Sequence, residues 1–288
     1  MFADAWTVLL AGGRGHPPAG DTAQIPGLLR DILRVMRSLR DTVRTAERLR
    51  IIKTPVQRAL RNLGYELTPI HASYDDMVRT LIAAHGVDLA IDVGANQGQY
   101  ATKLRDLGYA GDMHSFEPLD AAFARLKSRA DHDPRWTATH QAIGATAGEV
   151  TLNISANSVS SSILQVTDTH VDAEATSRVE GTQTASMVSL DEALAYSEAK
   201  SIWLKLDVQG LEGEVLSGAK QVLSRTSVIQ TEVSFTELYR GQSAYLEVLQ
   251  LCDGEGFHPV YVEPGFINPV SGEMLQCDFI LARKTPAA

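Results

Sequence analysis

The stretch from Leu89 to Gln99 constrains the fold of this chain more than any other. Leu-Ala-Ile-Asp-Val is a run of five mostly apolar residues, and the sequence then turns on Gly94-Ala-Asn-Gln-Gly98 before a helical pattern begins. Tyr100, Leu104 and Leu107 recur at helical spacing, with Lys103, Arg105 and Asp106 on the other side. Strand, tight glycine turn and helix form the opening unit of a nucleotide-binding α/β sheet. Gly94 and Gly98 carry no Cβ, so backbone can approach a ligand closely there. Asp92 brings a negative charge to the carboxyl end of the strand, where a ligand would lie.

The spacing narrows the ligand. A pyrophosphate site uses Gly-x-Gly-x-x-Gly and the N-terminus of the following helix. Here the pattern is Asp-x-Gly-x-x-x-Gly, with an acid at its front. An acid suits a cationic or hydroxyl-rich ligand better than a phosphate. S-adenosylmethionine, with a sulfonium, an ammonium and no phosphate, fits that description. A plain βα turn with incidental glycines is the competing reading of this stretch alone, and a second element weighs against it. Asp112–Phe116 reads as another short strand, ending in Phe116-Glu117-Pro118. Glu117 falls about twenty residues past the glycine turn, where a second-strand carboxylate accepts hydrogen bonds from ribose hydroxyls. Pro118 stops the strand and fits the first turn of a helix expected over Leu119–Ala130.

Composition excludes some classes. With 288 residues, 44% of them hydrophobic, the chain can form one sizeable domain with an N-terminal addition. A formal net charge of −9 speaks against a general nucleic-acid binder. Cys252 and Cys277 lack metal-ligand spacing and lie in apolar stretches, as buried thiols of a reducing compartment do. No run approaches a membrane span. The apolar segment Ala5–Ala11 is short and has no basic residue before it, unlike a signal peptide. These features together predict a cytoplasmic protein.

Three regions follow along the chain. Residues 1–25, with glycines and prolines clustered at 12–20, read as a flexible tail. Residues 26–72 read as a basic helical extension. Leu28, Ile32, Val35, Leu39, Val43 and Ala46 keep helical spacing, with a stripe of arginines beside them. Ten basic and three acidic residues fall between Pro26 and Asn62. Two readings stand: an amphipathic helix over 28–50 on an anionic membrane surface or a partner, or a helix packed on the domain or on a second subunit of a homodimer.

Residues 73–288 read as the α/β domain. It opens with a helix at Tyr74–His85 and contains the two βα units above. A third strand is expected over Trp136–Ala142, and Ala142-Ile143-Gly144 follows; either an adenine ring lies against these small residues or Gly144 is an ordinary left-handed turn. Glu149–Ser155 is a further strand. The next thirty residues are rich in Ser and Thr and read as a functional loop, whose hydroxyls suit a sugar-like substrate, or as a bare linker. Ser186–Leu190 leads into a short helix, Asp191–Ser197. Ser201–Val208 is a near-continuous apolar strand of central type with Asp207 at its end. A helix is expected over Leu211–Leu223, its first-turn acids Glu212 and Glu214 complementing the helix dipole. Val228–Val233, carrying Glu232, is another strand. A helix at Ser243–Glu255 and an antiparallel pair, His258–Glu263 with Gln276–Ala282, close the domain.

These motifs resemble the FkbM family of S-adenosylmethionine-dependent methyltransferases. The resemblance rests on Asp92-Val-Gly-Ala-Asn-Gln-Gly98, Phe116-Glu117-Pro118, the Ser160–Leu164 segment, Lys205-Leu-Asp207-Val-Gln-Gly210-Leu-Glu212 and Glu232-Val-Ser-Phe with Leu238-Tyr239. It implies a Rossmann-like, seven-stranded class I methyltransferase sheet with helices on both faces and a reversed last hairpin. It also implies methylation of hydroxyl groups on small molecules, polyketides, sugars or glycolipids. Carried onto this chain, Asp92, Gly94 and Gly98, with Asn96 in the same loop, would line the methionine and ribose region of the cofactor. Glu117, next to Pro118, would hold the ribose hydroxyls, Ala142 and Ile143 would lie near adenine, and Asp207 would face the transferred methyl. The family's usual Asp-Val-Glu-Gly is Asp207-Val-Gln209-Gly210 here, which leaves no carboxylate at 209.

Methyl transfer to an alcohol needs alignment and the removal of a proton. Asp207 is the first candidate for that base, with Glu232 or Glu212 next and His140 a further candidate by position. No metal ligand set is expected, though Asp207 and Glu232 holding a divalent metal remains an open alternative. Two other classes stay open: a nucleotide-dependent oxidoreductase, and a non-catalytic adenosyl-ligand-binding module on the same fold.

Overall fold

The computed structural model describes residues 73–283. The expected tail, the basic extension and its membrane or dimer contact all lie outside the described residues. A seven-stranded sheet organises the described part. Its strands are β1 (Leu89–Val93), β2 (Asp112–Phe116), β3 (Trp136–Thr139), β7 (Ile202–Leu206), β8 (Thr226–Ser234), β9 (Phe257–Pro264) and β10 (Gln276–Arg283), in the order β3-β2-β1-β7-β8-β10-β9. All neighbours are parallel except β10, which runs antiparallel to both β8 and β9. The two innermost apolar runs, β1 and β7, are buried along their whole length. Strands covered on both faces need that continuous apolar character, since neither face meets water.

Helices link the parallel strands: α1 (Tyr74–His85) precedes β1, α2 (Gln99–Asp106) follows it, and α3 (Asp120–Ala130) follows β2. After β7 come α6 (Glu212–Ser217) and α7 (Lys220–Arg225), and α8 (Tyr245–Gly254) precedes β9. The core runs from Ile91, Leu204 and Ile229 of the sheet to Val215 and Leu216 of α6 and to Val248 and Cys252 of α8. Both cysteines are free thiols in this core. No helix among the described residues is long and apolar enough to cross a membrane.

Three expectations need correction. The third strand ends at Thr139, and Ala142–Gly144 is a separate strand, β4, in a second sheet of order β4-β6-β5. Its partners are β6 (Val179–Ser189) and β5 (Gly148–Ser155). Gly144 is thus buried strand and has no left-handed φ. A Cβ there would lie 2.5 Å from Met187 Sδ, so packing explains the glycine. The Ser/Thr-rich segment is also more ordered than a loop or linker. It contains a 3₁₀ turn (Ser158–Ser160), helix α4 (Asp168–Ala173), a second 3₁₀ turn (Ala175–Ser177) and the eleven-residue β6; the short helix α5 (Leu190–Ala193) follows. Finally, the expected single helix Leu211–Leu223 breaks at Gly218. A Cβ on Gly218 would lie 2.6 Å from Gly144 O, so β4 passes tightly over the break. The Asp191 carboxylate then caps the second piece, accepting the Gln221 and Val222 amides at 2.9 Å.

Candidate active site

Strand register brings the predicted acids into one row. Val93 pairs with Phe116 on one side and Leu206 on the other, and Leu206 pairs with Thr231. One residue further along each strand stand Gly94, Glu117, Asp207 and Glu232. A parallel sheet collects these positions at its carboxyl edge, where α/β sheets bind ligands.

The glycine turn is locked to both flanking strands. Gly94 and Ala95 donate their amides to Phe116 O, each at 3.0 Å. Gly94 has φ 79°, and a Cβ would sit 1.9 Å from Asp207 O, so only glycine lets the two strand ends come this close. Asn96 (φ 47°) donates its amide to Glu117 Oε2 at 2.7 Å. Gly98 has a packing role. Its missing Cβ leaves room for the Trp136 ring, which would lie 2.8 Å away.

Glu117 is buried, and its second oxygen accepts the Leu119 amide at 2.8 Å. Burial pushes its pKa up to about 7, against the two amides and with the charges of Asp92 and Asp207. Each oxygen has satisfied one lone pair and keeps another. Asp92 is more isolated. It is 3% exposed, and neither oxygen has a hydrogen-bond donor. Lys205 Nζ stands 3.8 Å from Asp92 Oδ1. Burial raises the Asp92 pKa to about 6, with Lys205 opposing. A buried carboxyl without a donor is costly, and a cationic ligand group nearby relieves that cost.

Asp207 is the partly open member of the row, with its side chain 34% exposed. Lys205 Nζ lies 3.0 Å from its Oδ2, and Gln209 Nε2 donates to its Oδ1 at 2.7 Å. Burial works against the charge of Lys205, but Asp207, Asp92 and Asp278 outweigh it and hold the ammonium above its ordinary pKa. Gln209 Nε2 also donates to Glu232 Oε2 at 2.7 Å, and Gln276 Nε2 reaches the same oxygen at 3.0 Å. Removal from water and the charges of Asp207, Asp278 and Glu212 raise the pKa of Glu232 well above the usual range. Buried Tyr239 donates to Gln209 Oε1 at 2.5 Å.

Glu212 has a structural duty that a first-turn acid on an exposed helix would not have. It is buried and accepts the amides of Val208 and Gly210, both at 3.1 Å, which closes the turn after β7. Burial pushes it up to about 7. His140 is exposed, stacks on Phe123 at 4.5 Å and approaches Pro118 O at 3.0 Å, at the base of α3.

A cleft opens along this row. Gly94, Asn96, Glu117, Pro118 and Asp207 form one side, Ala142 and Ile143 stand at the end of it, and Leu152 and Ile163 add apolar wall. Asp92, Gly98, Glu212 and Glu232 do not line the cleft. Ser158–Ser162 closes another side: Asn96 Nδ2 donates to Ser158 Oγ at 3.0 Å, and Ser162 Oγ donates to Gln209 O at 2.8 Å. Lys205, Tyr239 and Gln276 were given no site role from sequence. Lys205 had a signal, a lone cation within an apolar strand two residues before Asp207; Tyr239 and Gln276 reach the cluster only through the fold. Among the described residues no cluster of three or more His, Cys, Asp or Glu side chains is arranged to hold a metal ion.

The Methyltransferase FkbM domain model matches residues 92–259. The chain belongs to the FkbM methyltransferase family. That assignment sets aside the oxidoreductase reading. The 2-O-methyltransferase NoeI of Sinorhizobium fredii (strain NBRC 101917 / NGR234) is 30% identical over 169 residues, covering 56% of this chain and 69% of that protein. Among solved structures, an FkbM methyltransferase from Methylobacillus flagellatus KT superposes with a TM-score of 0.42 at 13% identity, covering 67% of this chain and 43% of that one. The magnesium protoporphyrin IX methyltransferase of Synechocystis PCC 6803, crystallised with S-adenosylmethionine, gives 0.39 at 10% identity, covering 73% and 77%. At such scores the fold assignment rests on the strand order itself. This domain is a methyltransferase, and its family and fold are those that use S-adenosylmethionine.

Proposed function

We propose that this chain is an O-methyltransferase that moves the methyl group of S-adenosylmethionine to a hydroxyl of a small molecule, sugar, glycolipid or polyketide-type acceptor. The observation that carries the reading is the row of carboxyls at the carboxyl edge of the sheet, with half-open Asp207 lining the cleft and buried Asp92, without a hydrogen-bond donor, two residues back along β1. The residues suit the cofactor. Glu117 has lone pairs left for ribose hydroxyls, Ala142 and Ile143 offer small and apolar surface to an adenine, and Asp92 supplies the negative field that favours an ammonium. The bound sulfonium supplies an activated methyl group.

Asp207 does the rest of the work at the acceptor. Each of its oxygens already takes one donor, from Lys205 and Gln209, so the carboxylate is held in one orientation. Its remaining lone pairs would accept the acceptor's O–H and take its proton. A positioned base of this kind contributes on the order of 10²–10⁴-fold. The Ser158–Ser162 segment borders the same cleft and offers hydroxyls to a polar acceptor. The printed activity of the NoeI relative, 2-O-methylation, supports oxygen as the atom methylated.

Isothermal titration of the full chain with S-adenosylhomocysteine, with NAD as control, tests the cofactor. Incubation with methyl-labelled S-adenosylmethionine and a panel of free sugars, alkyl glycosides and glycolipids tests the acceptor, with an alkali-stable product marking an ether. Binding of the adenosyl ligand with no labelled product from any hydroxylated acceptor would favour the non-catalytic module. Asp207→Asn should leave cofactor affinity intact and cut turnover about 100-fold or more. A rate within about threefold of the parent would remove Asp207 from the role of base.

A further inference from the structure

Gln209 stands where Asp207 and Glu232 come together. Its Nε2 carries two hydrogens, and both are used, one on Asp207 Oδ1 and one on Glu232 Oε2, each at 2.7 Å. Two carboxyl oxygens on one end of the amide call for its nitrogen there, which leaves Oε1 facing the Tyr239 hydroxyl. The backbone is arranged for this placement. Gln209 has φ 55°, a left-handed conformation that side chains other than glycine seldom adopt, and its carbonyl is tied to Ser162 Oγ. On the far side of Asp207, Lys205 Nζ faces both Oδ2 at 3.0 Å and Asp92 at 3.8 Å. Three acids therefore converge on one neutral amide and one ammonium.

Such convergence ordinarily asks for a cation. Neighbouring oxygens around an octahedral Mg²⁺ lie about 2.9 Å apart, given bonds of about 2.0–2.1 Å. A glutamate at 209 would put a carboxylate oxygen where Nε2 now lies, 2.7 Å from an oxygen of each neighbour. We infer that Gln209 is a positioning residue that stands in for a metal ion: its carboxamide holds Asp207 to Glu232 so that the site works without a divalent cation, and Gln209→Glu alone turns the same place into a divalent-cation site. The catalytic half of this inference rests on the reading of Asp207 given above; the cation half does not.

Mn²⁺ is the probe, read by electron paramagnetic resonance and calorimetry on the full chain, with S-adenosylhomocysteine titrated in parallel. In the parent chain, EDTA and Mn²⁺ should leave the S-adenosylhomocysteine affinity within about twofold, and no bound Mn²⁺ should be released by Asp207→Asn. Gln209→Glu should bind one Mn²⁺ per chain, and adding Glu232→Gln should weaken that binding about tenfold or more. Gln209→Leu, which has neither donor nor ligand atom, should gain none. If Gln209→Glu is unfolded in EDTA, Mn²⁺ should restore its fold. The inference is overturned if the parent binds Mn²⁺ that Asp207→Asn releases. It is equally overturned if Gln209→Glu gains no Mn²⁺ and is not rescued by it. Failure of the parent to bind S-adenosylhomocysteine would instead count against the methyltransferase reading, and the Mn²⁺ comparison would still stand.

Discussion

Replacing Gly94 by alanine tests how the cleft is built. The new Cβ would lie 1.9 Å from Asp207 O, where ordinary contact begins at 3.4 Å, so the carbonyl must retreat by the difference, 1.5 Å. That retreat strains the Asp207 amide bond to Val93 O, 3.0 Å long in the parent. Two costs add. Holding alanine at φ 79° costs about 1–2 kcal/mol. Overpacking against a backbone that cannot yield freely costs about 1–3 kcal/mol more. Gly108 separates them, because it has φ 89° and nothing within 4 Å of its Cβ position. Gly108→Ala should show the conformational cost alone, and Gly94→Ala about 2–5 kcal/mol in all. At about 2–4 °C per kcal/mol for a domain of this size, thermal unfolding resolves the difference. S-adenosylhomocysteine affinity should fall at least about tenfold for Gly94→Ala, since the turn and Asp207 move together, and stay unchanged for Gly108→Ala. If both variants lose equal stability and keep equal affinity, the close approach of β1 and β7 is not what shapes the site.

Further expectations concern protons and single hydrogen bonds. Burial raises Asp92 to about 6 and Glu117 and Glu212 to about 7, from ordinary values of 3.8 and 4.5. The folded chain thus holds protons that the unfolded chain releases, so the stabilising effect is complete below about pH 4 and is lost as pH rises toward 7. Thermal unfolding of the ligand-free chain should therefore occur at lower temperature at pH 8 than at pH 5. Glu212→Gln, which keeps an acceptor for the Val208 and Gly210 amides, should flatten that slope; an unchanged slope would refute the assignment. Tyr239→Phe strips Gln209 Oε1 of its donor and should cost about 1–3 kcal/mol in denaturant unfolding. A variant as stable as the parent would mean that the amide finds another partner.

Much of the site was legible because one-dimensional spacing and sheet register coincide. Gly94, Glu117, Asp207 and Glu232 stand at or near the carboxyl ends of the expected strands, and parallel pairing lines such positions up without further information. Helix α1 and the final antiparallel pair were likewise visible in periodicity. What was missed depends on contacts between distant residues. Strand β6 carries its alternation on half-buried Gln183, Ala185 and Met187, which are too polar or too variable in size to stand out. The break at Gly218 exists because β4 passes over it, and nothing in Leu211–Leu223 announces that neighbour. Glu212 looked like a helix-dipole acid, since its burial comes from the turn it closes. Gln209 looked like a lost carboxylate until its two acidic neighbours were placed on either side of it.

The contact between Gly98 and Trp136 has an evolutionary consequence. The indole cannot swing aside, because its Nε1 donates to Ser115 Oγ at 2.9 Å within the buried layer. A side chain at 98 would also meet Leu126 at 3.0 Å. Shrinking the tryptophan would clear the ring contact, yet φ 83° at Gly98 and the Leu126 contact still favour glycine there. Drift at 136 is therefore not matched by freedom at 98, whatever ligand the cleft comes to prefer.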